Sequence, residues 1–180
     1  EQINCIECGV GRYSETAGTQ SDCTRCNKGE YQPDEGATSC LGCIPGQYQP
    51  QPGQINCTEC EVGRASSDVG NEKECDTCLG GNYQPELGAT TCLYCIPGQY
   101  QTEENQENCF LCPVGRASSR KKRGTECTAC ITGRYQSEEG TTGCLNCIPG
   151  KYQSLEQQTK CINCAIGRSS SATARTNACE

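Results

Sequence analysis

Histidine, tryptophan and methionine are absent from this 180-residue chain, and there is a single phenylalanine. Without histidine the usual general base at neutral pH is missing, and so is a common zinc ligand. Leu, Ile, Val and Phe together number 21. That is below the roughly 20% under which a chain usually cannot bury enough apolar surface to fold, so a hydrophobic core of ordinary size is excluded. No apolar run approaches the roughly 18 residues of a membrane span, and no stretch shows helical apolar periodicity. Direct membrane insertion of this segment is not expected. No signal-peptide pattern is visible. Secretion would place a leader upstream, and the missing initiator methionine agrees with a part cut from a longer protein. The net charge of −7 speaks against nucleic acid and anionic membrane as partners.

What the chain has in abundance is cysteine, 21 of 180 residues, a density typical of disulfide scaffolds and rare in a reducing cytosol unless the thiols bind metal. Cys-x-x-Cys occurs ten times, beginning at Cys5, Cys23, Cys40, Cys57, Cys75, Cys92, Cys109, Cys127, Cys144 and Cys161. The steps run 18, 17, 17 and then start again, so the full period is 52 residues. Ile-Pro-Gly-Gln-Tyr-Gln at 44–49 returns at 96–101, and Val-Gly-Arg-Ala-Ser-Ser at 62–67 returns at 114–119. The repeat units are 1–56, 57–108 and 109–160, with 161–180 opening a fourth. The array reads as copied triplets of three distinct modules. A glycine stands three residues after the second cysteine of every pair, from Gly11 to Gly167. Such a position needs φ > 0 or a close backbone approach. Tyr13, Tyr31, Tyr48, Tyr83, Tyr100, Tyr135 or Tyr152 follows two residues later; Ala65, Ala117 and Ser169 replace it in VGR-type modules. Second glycines such as Gly36 and Gly88 mark β-turns. Each module is therefore expected to hold a short strand around the tyrosine, a turn, and a short strand into the next cysteine.

Disulfides compete here with zinc, whose knuckles lie at a similar spacing. Zinc modules come as closed sets of four ligands, whereas these pairs run evenly without grouping. A redox Cys-x-x-Cys is normally single and set on a βαβ pattern. The features favour disulfides, without excluding zinc or redox-active dithiols from spacing alone.

The pattern Cys-x-x-Cys-x-x-Gly-x-Tyr resembles the ephrin-receptor-like cysteine-rich repeat, and is similar to the first sub-module of tumour-necrosis-factor-receptor cysteine-rich domains. The resemblance covers essentially the whole chain. It implies the pairs Cys8–Cys23, Cys26–Cys40, Cys43–Cys57, Cys60–Cys75, Cys78–Cys92, Cys95–Cys109, Cys112–Cys127, Cys130–Cys144, Cys147–Cys161 and Cys164–Cys179. Cys5 is left over, its partner expected upstream. The implied fold is small, disulfide-rich and all-β or irregular: a linear, solenoid-like rod of about ten hairpin modules of 17–18 residues, grouped in 52-residue triplets. In such repeats modules are expected to touch only their neighbours, with the two residues inside each Cys-x-x-Cys as a short hinge. The VGR-type loops at 10–22, 62–74, 114–126 and 166–178 would then face one side in a row.

No catalytic constellation is visible. The chain is not expected to be an enzyme, and no cofactor or metal is expected. The acidic pairs Glu103-Glu104 and Glu138-Glu139 read as solvated loops. Asn56-Cys57-Thr58 is a candidate N-glycosylation site. Arg120-Lys121-Lys122-Arg123 is the only basic run: a loop tip, a furin-type cleavage signal, or a contact to an acidic neighbour. These features lead to an extracellular structural repeat, part of a larger fibre, surface coat or scaffold. The alternative is a cysteine-rich ectodomain segment of a receptor or adhesin that binds a protein or glycan. Expected partners are copies of itself or other matrix and surface proteins, with glycans possible and no nucleic acid.

Overall fold

The computed structural model describes residues 7–16 and 23–179. Among them there is no helix. Eighteen two-residue strands pair into nine antiparallel hairpins, from Arg12–Tyr13 with Thr24–Arg25 to Lys151–Tyr152 with Ile162–Asn163. The fold is a small disulfide-rich all-β repeat. Ten disulfides close loops whose ends are 14 or 15 residues apart, and they are the pairs named above. The chain divides into two compact units, Glu1–Cys78 with Gln84–Cys92, and Leu79–Tyr83 with Leu93–Glu180.

Each hairpin starts from a turn that the local sequence encodes. In Ile44-Pro45-Gly46-Gln47 the amide of Gln47 donates to the carbonyl of Ile44 at 3.0 Å, and Gly46 has φ +87°. Proline second and a positive φ third make a type II turn. The strand Gln47–Tyr48 follows and pairs with Thr58–Glu59, Gln47 opposite Glu59 and Tyr48 opposite Thr58. Thr58–Glu59 lies inside Cys57-x-x-Cys60. The same holds in all nine hairpins. This corrects two expectations: the second strand follows the next cysteine rather than leading into it, and the dipeptide inside Cys-x-x-Cys is a strand rather than a hinge. The bridge is the physical reason. With Cys43 and Cys57 only 5.8 Å apart at Cα, the residues after Cys57 run back along the strand that opened the loop.

Backbone hydrogen bonds join consecutive modules. In the first unit Gly29 N donates to Gln49 O at 2.8 Å, Gln32 N to Gln54 O at 3.0 Å, and Gly53 N to Cys26 O at 2.8 Å. In the second unit the same set appears as Gly133 N to Gln153 O, Gln136 N to Gln158 O and Gln157 N to Cys130 O. Contact also reaches the module after next. A Cβ on Gly46 would lie 2.0 Å from the carbonyl oxygen of Gly88, and one on Gly98 would lie 2.0 Å from that of Gly140. The recurrent glycine is thus required twice, by its φ and by this seam. The expectation that modules touch only their immediate neighbours is corrected.

The VGR-type loops take part in the seam. Gly70 of loop 62–74 packs at Gly29, Lys122 of loop 114–126 at Gly81, and Ala174 of loop 166–178 at Gly133. Each VGR-type loop meets a module of another type. The contact step is two modules, whereas the sequence period is three.

Sulfur and amide fill the interior in place of hydrocarbon. Cys26, Cys43, Cys60, Cys95, Cys112 and Cys147 have no exposed surface. Gln101 is 1% exposed. Its Nε2 donates to Asn108 O at 2.8 Å, and its Oε1 accepts from Glu103 N at 3.1 Å. Gln32, Gln49, Gln84, Gln136 and Gln153 clamp their loops in the same way. A buried amide satisfied on both sides escapes the desolvation cost of an unpaired polar group. The VGR-type modules have serine at this position and loops whose ends are 15 rather than 14 residues apart. There the arginine beside the glycine takes over. Arg64 and Arg116 each donate from Nη1 to the carbonyl of the closing cysteine, Cys75 and Cys127, at 2.9 Å. Arg12 and Arg168 do the same to Cys23 and Cys179.

At the loop tip the chain again takes a positive φ. Gly36, Gly53, Gly70, Gly88 and Gly140 fill that place in five modules, and Asn105, Lys122, Gln157 and Ala174 fill it in others. A left-handed conformation costs a non-glycine residue about 1–2 kcal/mol, partly offset by the unfolded-state entropy of glycine. Ala174→Gly should therefore stabilise the oxidised chain by roughly 0.5–1 kcal/mol. A denaturant midpoint that stays put or falls would contradict this.

Candidate functional site

The main departure from triplet symmetry lies in the module closed by Cys112–Cys127. Its loop carries Arg120-Lys121-Lys122-Arg123, and the backbone distributes these four side chains. Lys122 occupies the loop-tip position at φ +53°, where its N–H donates to Cys95 O at 2.9 Å. Its ammonium stands 5.2 Å from the centre of the Tyr94 ring, within cation–π range. Arg123 is half-buried. Its Nε donates to Glu126 O at 2.8 Å and its Nη2 to Thr128 Oγ1 at 3.1 Å. The nearby carboxylate of Glu126 is paired with Arg116 at 3.0 Å.

Arg120 and Arg123 line an open cleft of about 550 Å³ together with Arg134, Ser118, Ser119, Thr125, Thr128 and Thr142. No acidic side chain is among its lining residues. Ser118 is 3% exposed, and its Oγ has no hydrogen-bond partner. The buried Thr141 Oγ1 beside it is also unpaired, while Ser118 N donates to Thr141 O at 3.1 Å. Sibling modules differ here. Ser66 Oγ accepts from Asn71 Nδ2 at 3.1 Å, and Ser170 Oγ accepts from Ala172 N at 3.2 Å. In the present loop Arg123 stands five residues after the serine, as Asn71 does after Ser66, but its guanidinium is turned to Glu126 and Thr128. The serine hydroxyl is left over.

The backbone of the basic run is engaged in this setting. Lys122 is left-handed with its N–H engaged, and the carbonyl of Arg123 accepts from Gln101 N at 3.0 Å. A processing protease binds several residues in extended form, so backbone hydrogen bonds here oppose cleavage. A dibasic-specific protease should leave the oxidised chain intact and cut at 120–123 only after reduction, as read by mass spectrometry. Cleavage of the oxidised chain would overturn this.

The other predicted positions are dispersed. Asn56 is exposed, and its carbonyl accepts from Gln49 Nε2 at 2.8 Å. Glu103 and Glu138 follow the clamping glutamines, which hold their backbone amides. Among the described residues, no group of three or more acidic or cysteine side chains is placed to hold a metal ion. Cys5 lies outside the described residues, as does part of loop 10–22. The glutamine clamp and the arginine clasp were missed in the sequence, although both left a signal. Glutamine follows the tyrosine wherever the loop is short, and Gly-Arg-x-Ser stands in its place wherever the loop is long.

No family model matches the chain, and no curated protein matches it. Repeated disulfide-rich hairpin modules suit an extracellular structural or ectodomain segment, and ten bridges in so small a protein suit an oxidising environment.

Proposed function

We propose that the chain is a non-enzymatic structural element of an extracellular fibre, surface coat or scaffold, of the kind built from ephrin-receptor-like repeats. The supporting observation is the backbone seam. Within each unit Gly11, Gly29, Gly46, Gly81, Gly98, Gly115 and Gly133 pack against a loop-tip carbonyl two modules on, a contact that depends little on side-chain identity, so one joint serves modules of different type. Repetition at the surface supports the same reading. Ile44, Ile96 and Ile148 occupy the same place in successive triplets and are 59%, 59% and 58% exposed. Exposed apolar residues that recur at one module position suit lateral packing between copies. N-linked glycan at Asn56 fits an exposed sequon on such a coat.

The test is electron microscopy and sedimentation of the oxidised protein over a range of concentrations. Filaments or sheets that grow with concentration support the proposal, and replacement of the three isoleucines by serine should abolish them. A monomer at every concentration would refute self-association. It would favour the second reading, an ectodomain segment of a receptor or adhesin. The cleft at Ser118–Arg134 is the observation on the side of that reading.

A further inference from the structure

We propose that the cleft beside Arg120 binds a sulfate or phosphate monoester carried on an extracellular saccharide. Three observations converge on it. The first is charge. In a protein of net charge −7, this cleft is lined by Arg120, Arg123 and Arg134 and by no carboxylate. A guanidinium presents a planar fork of donors that matches two oxygens of a tetrahedral oxyanion. The second is preorganisation. Arg123 is held by Glu126 O and Thr128 Oγ1, neutral acceptors that fix its plane while leaving its charge uncompensated. The third is the buried hydroxyl. Ser118 is among the cleft's lining residues, and its buried Oγ has no partner, although its counterparts Ser66 and Ser170 are both hydrogen-bonded. An unmade hydrogen bond at a buried donor is costly, and a χ1 rotation that turns the hydroxyl to the cleft would let an oxyanion accept it.

The rest of the lining favours a sugar over an acidic peptide. Thr125 and Thr142 add hydroxyls, which both donate to and accept from sugar hydroxyls. The bulk of the protein repels polyanions, so binding should be local to this module and weakened by salt.

The probes are a sulfated oligosaccharide, its desulfated form, a phosphorylated monosaccharide and a polyglutamate peptide. Each is titrated into the full oxidised chain and followed by amide NMR and calorimetry. The sulfated or the phosphorylated sugar should shift amides at 117–134 and 142–144, and the stronger of the two identifies the ester. The desulfated form should bind at least about tenfold more weakly, the loss expected when charge-assisted hydrogen bonds are removed. Arg120→Ala and Arg134→Ala should each weaken binding by about tenfold or more. Lys121→Ala, outside the lining, should change it less than about twofold. Ser118→Ala tests the buried donor and should weaken binding of the ester while leaving the disulfide map unchanged. Equal binding of sulfated and desulfated sugars would overturn the proposal. So would Lys121→Ala weakening binding as much as Arg120→Ala, which would mark diffuse charge attraction. Tighter binding of polyglutamate would also overturn it, assigning the cleft to an acidic protein segment. None of these outcomes depends on whether the chain forms filaments.

Discussion

Reduction of the disulfides should unfold the whole chain at 25 °C in the absence of denaturant. Each bridge closes a loop of 14 or 15 residues, worth about 3 kcal/mol in the chain-entropy model. A typical domain is held by about 5–15 kcal/mol, so losing a few bridges exceeds what commonly keeps a protein folded. Here nothing apolar replaces them. Among the described residues the buried hydrophobic positions are cysteines apart from Ala65 and Ala117, while residues such as Leu93, Phe110 and Ile148 are exposed. The buried glutamines cannot rescue the fold, because their partners are carbonyls that the bridges hold in place. Circular dichroism after reduction and thiol blocking should show a coil spectrum, with amide exchange protection lost throughout. Retention of the native spectrum with all thiols blocked would show that the backbone seam suffices and that the bridges are secondary.

Gly98→Ala, with its equivalent Gly46→Ala, should be among the most damaging single changes outside the cysteines. The new Cβ would stand 2.0 Å from the carbonyl oxygen of Gly140. That carbonyl cannot easily move, because Gly140 N is itself bonded to Cys112 O at 2.8 Å. The φ of +87° adds the ordinary left-handed penalty. The combined cost should exceed about 3 kcal/mol, the range of overpacked, strained sites. Hydrogen exchange should accelerate at Gly98, Cys112 and Gly140. Gly150→Ala is the paired control. Gly150 has φ +80° but nothing within 4 Å of a Cβ, so it carries the φ cost of about 1–2 kcal/mol alone. Equal losses for the two variants would mean that the seam contributes no constraint beyond backbone conformation.

Much of this architecture was open to inspection in the amino-acid pattern. Cysteine density with a shortage of apolar residues pointed to cross-linked small loops, disulfides before zinc, because 21 Leu, Ile, Val and Phe residues cannot cover a core. The invariant glycine announced a positive φ or a close approach, and the structure has both at Gly46 and Gly98. Ile-Pro-Gly-Gln encoded its own type II turn, because proline and glycine restrict φ within a single residue. Signals of this kind are local, so one residue and its neighbours suffice to read them.

What the sequence by itself determined is therefore the module: its length, its turn, its strand at the tyrosine and its need for a bridge. Tertiary structure alone decided how modules join. The residues inside Cys-x-x-Cys became strands because a disulfide brings them alongside a chain segment a dozen residues away. The seam falls two modules on because Gly98 meets Gly140 through backbone atoms, which leave no trace in side-chain type. For the same reason Lys122 and Ala174 adopt glycine's conformation without being glycine. The basic cleft was half legible. The run at 120–123 stood out by charge, but Arg134, Thr142 and the unpaired Ser118 joined it only through packing between modules. Contacts made by carbonyls and amides are common to every residue, so their partners are chosen by three-dimensional register and not by the letters of the chain.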